Sequence, residues 1–146
     1  YEDLGYEIID QEGNQKTDMV FEEISYWNDT AVLARESGYW IIFDIPSGDY
    51  LLEDIFRFEY LQEGEEKIIR FRKEDHYGVI SNREGSLVNH SFNDIINLGS
   101  SGKPIYFAEK YIPEAEFYIV IYYNDQGKIL RKQVFTEEEY DQIYCP

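Results

Sequence analysis

The sequence has a single cysteine, Cys145, in 146 residues, so no disulfide can form within the chain. Packing and hydrogen bonding alone must hold the fold. A lone cysteine suits a reducing compartment, which gives localisation a cytoplasmic lean only. Four prolines and ten glycines are too few for a collagen-like or disordered chain. No apolar run approaches the roughly 18 residues that cross a bilayer, and no secretory leader is visible. The chain opens on Tyr1 rather than Met, which leaves room for a leader or a preceding domain. Bases are scarce too, at 13 against 30 acids, for a net charge of −17. Nucleic acid is therefore disfavoured as a ligand, because its binding rests on cations that neutralise phosphates. An anionic membrane surface is disfavoured for the same reason. A basic protein or a cation is admitted. The simpler role of such acidity is to keep a strand-rich protein soluble.

Aromatic residues are what the sequence has in excess. They make up 17% of the chain, with 14 tyrosines. Tyr, Phe, Ile and Val suit a pleated, half-buried surface, so composition leans toward strands. The length fits one domain, residues 1–146, large enough to bury roughly two-thirds of its unfolded surface.

A unit recurs along the chain. "GYEIIDQEGNQ", "GYWIIFDIPSGD", "HYGVISNREGS" and "FYIVIYYNDQGK" each run from an aromatic through a short β-branched stretch to a glycine. The aromatic starts are Tyr6, Tyr39, Tyr77 and Tyr118, and the glycines are Gly13, Gly48, Gly85 and Gly127. Asn, Asp and Pro beside each glycine tolerate positive φ or preset a bend, so each reads as a hairpin loop. A polar doublet before isoleucine follows, of two acids in Glu22-Glu23-Ile24 and Glu53-Asp54-Ile55 and of amide and acid in Asn93-Asp94-Ile95, with a looser "FTEEEYDQI" in the fourth copy. Three copies add a further extended run, "TAVLARE", "EKIIRFRKE" and "PIYFAEK". The units span approximately 5–37, 38–75, 76–115 and 116–146.

The expected fold is all-β: about four antiparallel hairpin or meander repeats that stack or pair into an elongated or barrel-like array, since one such unit cannot bury its apolar face alone. Ile24, Ile55 and Ile95 are expected at equivalent buried corners. Helix is expected only as single turns, at "VFEEISYW" or "TEEEYDQIY", where acids favour a helix N-terminus.

Tyr77-Gly78-Val79-Ile80, together with Phe21 to Ile24 and Phe92 to Ile95, resembles the WG (Trp-Gly) β repeats of many bacterial proteins. The equivalent doublets are Tyr6-Glu7, Tyr39-Trp40 and Tyr118-Ile119. The resemblance covers nearly the whole chain. It implies a repeat scaffold used for protein–protein interaction, with no catalytic residues to carry over.

Reaction chemistry finds little footing. His76 and His90 flank one hairpin, but two histidines without a third placed ligand do not make a metal site. Cys145 has no histidine near it in sequence to activate it. "GSSGKP" lacks the spacing and following helix of a phosphate loop and reads as a linker. With 30 acids, some carboxylate pair stands at catalytic distance in any fold, so such pairs carry no information. No enzyme, cofactor or metal is expected.

Charge is uneven along the chain: residues 1–75 hold 20 acids and 7 bases, residues 76–146 hold 10 and 6. In the acidic half aromatics are interleaved with acids. Glu22, Glu23, Tyr26, Trp27, Glu53, Asp54, Phe56 and Glu59 are the candidate partner-binding residues, with aromatics as anchors and acids as steering charges. The competing role is that alternate aromatics face the core. Two functions follow as expectations. One is a non-catalytic scaffold for protein–protein interaction, within a larger bacterial protein or alone. The other is a small acidic immunity-type inhibitor that neutralises a basic toxin enzyme.

Overall fold

A computed structural model describes residues 21–100 and 103–144. They form antiparallel strands and one short helix, in two compact units divided between Phe58 and Glu59. The first unit holds β1 (Glu23–Tyr26), β2 (Ala31–Glu36), β3 (Tyr39–Asp44) and the first part of β4 (Asp49–Glu63), in the order β1-β2-β3-β4. The second holds the rest of β4, then β5 (Lys67–Lys73), β6 (His76–Ser81) and β7 (Gly85–Phe92) in one sheet. Its other sheet is β8 (Asp94–Asn97), β9 (Tyr106–Ile112), β10 (Phe117–Tyr123) and β11 (Ile129–Thr136), followed by α1 (Glu137–Tyr144). The all-β expectation holds. The strand orders are linear, so no barrel closes among the described residues.

The sheets are offset from the sequence repeat. β1, the later part of β4, and β8 each follow an acidic-isoleucine corner, and each precedes the third extended run of its copy: β2, β5 and β9. That run then pairs with the first strand of the next copy, as β2 with β3, β5 with β6, and β9 with β10. Each four-stranded meander therefore takes its first two strands from one copy and its last two from the next. The corner is where the chain leaves one meander for the following one. At Asn93 this step ends β7 and starts β8. At Asp54, with φ of 57°, it is a left-handed residue inside a continuous β4, a conformation that Asp tolerates better than most residues.

Turn chemistry fixes the register. Gly48, Gly85 and Gly127 all have φ between 76° and 80°, as hairpin glycines should. Gly13 lies outside the described residues. Asp44 accepts from the Ser47 N–H and hydroxyl, and Asn124 accepts from the Gln126 and Lys128 N–H groups, so each side chain holds its own turn. Copies are joined by hairpins that close Glu36 on Tyr39 and Lys73 on His76. This makes Trp40-Ile41, rather than Tyr39-Trp40, the equivalent of Tyr77-Gly78, because both linking loops contain two residues.

The core of the second unit lies between its two sheets. Ile68, Val79, Val88 and Phe92 from one meet Ile95, Tyr106, Ala108 and Ile121 from the other. In the first unit Phe21, Ala34, Ile41 and Phe43 cluster, with Ile24 packed at the edge of the group. Ile55 and Ile95 are fully buried corner residues as expected, whereas Ile24 is only half-buried. The described part of "VFEEISYW", residues 21–27, yields β1 and no helical turn. "TEEEYDQIY" does become helical.

Candidate interaction surface

The candidate residues fall into three groups. Around β1, Arg35 lies 3.7 Å from Glu22 and 3.6 Å from Glu23, and Glu22 also accepts the Gly38 N–H. Glu22 thus helps close the β2–β3 hairpin, while Glu23 pairs across β1 and β2. The Tyr26 hydroxyl donates to Asp29 at 2.6 Å, and this bond to a carboxylate raises the phenol above its ordinary range. Trp27 is 2% exposed. An indole buried to that degree belongs to the core, so Trp27 does not serve as an exposed anchor.

The second group is on β4, where strand pairing puts extra residues into one short stretch. Tyr50 faces Phe43, Leu52 faces Ile42 and Ile55 faces Trp40, so β4 gains one residue between each successive pair. Such bulges re-aim side chains and bend the strand. Ile55 turns inward and is fully buried, while Leu51, Glu53, Asp54 and Phe56 are turned out. Leu51 is 55% exposed and Phe56 54%. Two carboxylates thus sit between two large apolar side chains on one bent strand. Leu51 was not among the sequence candidates, because strict alternation without a bulge gives no reason to expose it.

The two groups are not neighbours. β1 and β4 occupy opposite ends of a four-strand order, which at ordinary strand spacing is about 14 Å. Two strands, β2 and β3, thus lie between the two groups of acids.

Glu59, the last candidate, belongs to the second unit and has a structural partner. Its carboxylate is 2.9 Å from Arg70, whose guanidinium also donates to the Ile95 carbonyl at 2.7 Å, lies 3.8 Å from Asp94 and covers the Tyr77 ring. Arg70 is largely withdrawn from water, and such a charge needs these partners. Beside it is a cleft of about 230 Å³ lined by Leu61, Ile95, Ile96, Asn97 and Tyr106. The Tyr106 hydroxyl is buried without a hydrogen-bond partner among the described residues. Desolvation, with Glu66 and Asp125 nearby, pushes it up to about 12. Burial thus keeps this phenol protonated near neutral pH.

Neither histidine lines this cleft. His76 stands opposite Lys73 and the His90 ring rests against Phe71. Among the described residues no three His, Cys, Asp or Glu side chains come close enough to hold a metal ion. No helix among them is long and apolar enough to cross a membrane.

The chain matches no protein-family model, no curated protein and no solved structure.

Proposed function

We propose that the chain is a non-catalytic β-repeat scaffold for protein–protein interaction, and that the bulged stretch of β4 is presented to a basic partner. The observation that supports this reading is the exposed pairing of Leu51 and Phe56 around Glu53 and Asp54. Large apolar side chains supply the buried contact of an interface, and carboxylates beside them attract and orient a cationic partner. The net charge of −17 favours a second reading, an acidic inhibitor that neutralises a basic toxin enzyme, for which electrostatic steering speeds capture.

The test compares immobilised wild-type, Phe56→Ala and Glu53→Gln/Asp54→Asn chains against soluble extract of the source cells. The expected result is a basic protein retained by wild type. Phe56→Ala should release it faster, and the double variant should capture it more slowly with a flatter salt dependence. Equal retention by all three chains would remove β4 from the interface. Loss of an enzymatic activity of the retained protein on binding would select the inhibitor over the scaffold.

A further inference from the structure

The last sheet ends in an edge of unusual character. β11 pairs with β10 and, among the described residues, with no other strand. Its outward backbone N–H and C=O groups are therefore a template for another strand. Ile129, Leu130 and Val134 on it are each more than half exposed. Residues 126–136 contain Lys128, Arg131 and Lys132 and no acid, in a chain whose balance is −17. None of these three cations is in an ion pair among the described residues. A register shift sets Leu130 out of line, but from Arg131 to Thr136 the pairing with β10 is regular. Among the described residues, a regularly paired basic edge with exposed apolar side chains is left open.

We propose that β11 is a docking edge for an extended acidic segment of a partner protein, which adds to the sheet as a further strand. Backbone bonds from 131–136 would hold it, and alternate side chains would set its preference. Arg131 and Lys132 lie on opposite faces of the sheet, so carboxylates on either face of the incoming strand find a cation, and apolar residues between them cover Val134. This edge and the β4 stretch belong to different units, and the proposal does not rest on the β4 reading. Cations on an edge also discourage unwanted pairing, and the experiment distinguishes that role.

A labelled, acetylated peptide of Glu-Glu-Val-Val repeats, which carries carboxylates on both faces of an extended strand, is titrated against the full chain at low salt and followed by fluorescence anisotropy. Saturable binding is expected, weakened about tenfold or more by Arg131→Gln/Lys132→Gln, as for loss of two interfacial charge pairs. Phe56→Ala should leave it unchanged, so failure here and failure of the β4 surface are told apart. The same peptide N-methylated at alternate residues cannot form the backbone ladder and should not bind wild type. No binding of the acidic peptide overturns the proposal, as does binding that survives N-methylation or the double substitution. If the double variant only self-associates more, with peptide binding unchanged, the cations guard the edge and the proposal is likewise overturned.

Discussion

Glycines with the same backbone conformation carry different burdens in this fold. Gly85 and Gly127 both have φ near 80°, but a Cβ on Gly85 would meet nothing within 4 Å. A Cβ on Gly127 would sit 2.7 Å from the Leu87 carbonyl oxygen and 3.0 Å from its Cα. The β10–β11 turn therefore lies directly on the backbone of β7, which cannot move aside as a side-chain tip can. Gly85→Ala should cost about 1–2 kcal/mol, the strain of a left-handed non-glycine residue. Gly127→Ala should cost about 1–3 kcal/mol more, the range for forcing atoms into a packed site. Urea denaturation of the two variants beside wild type checks this, and equal losses would show that the contact with β7 carries no weight. Gly78 has a related duty without positive φ. A Cβ there would stand 2.7 Å from the Phe71 ring and 3.0 Å from the His90 backbone, which explains a glycine after the aromatic in the third copy. The turn glycines were legible in the sequence because φ > 0 leaves a compositional trace. The close approaches of Gly78 and Gly127 were not, since they depend on a neighbouring strand or sheet.

Elements show the same division. The third extended runs became β2, β5 and β9, as their β-branched and aromatic content requires. That the corner passes the chain from one meander to the next could not be read from one copy alone, because it is a property of which strands pair. The β4 bulges were invisible for the same reason, and with them the exposure of Leu51. Burial of Trp27 was equally hidden, since an aromatic beside acids reads alike whether it faces in or out. The fourth copy departs furthest. Where earlier copies turn into a short strand, it forms α1, which covers the face of its sheet opposite the core shared with β5–β7. Tyr140 stacks on Tyr118 with ring centroids 3.8 Å apart, Tyr144 meets Phe107 and Phe135, and the Tyr111 hydroxyl donates to Glu137. Thr136 and Glu139 supply the start signal by exchanging bonds, the Thr136 hydroxyl accepting the Glu139 N–H and the Glu139 carboxylate accepting the Thr136 N–H. An isolated helix of this length is marginal in water, so cap and aromatic packing must act together. Thr136→Ala should destabilise by about 1 kcal/mol. Amide exchange should rise first within 137–144 and spare β5 to β7. Unchanged exchange in α1 would mean that packing alone holds the helix.

At the scale of the whole molecule, charge sets two behaviours of opposite sign. There are 30 acids and 13 bases, so even complete pairing would leave 17 carboxylates uncompensated. The ion pairs found are few, and those of Arg72 and Arg83 reach well-exposed carboxylates, where a pair is worth at most about 1 kcal/mol. Repulsion among the surplus acids acts on the folded chain at every exposed surface, and it is screened over about 10 Å at 0.1 M salt. Added sodium chloride should therefore raise the thermal midpoint from low to physiological ionic strength, because screening relieves more repulsion than it removes attraction. Association with a basic partner through Glu53 and Asp54 should move the other way, slowing over the same range as steering is lost. Measured together, melting curves and association rates separate the two effects. A midpoint that falls with salt would show that the ion pairs of Arg35 and Arg70 outweigh the general repulsion, and the acidity would then have to be read as structural rather than as a field offered to a partner.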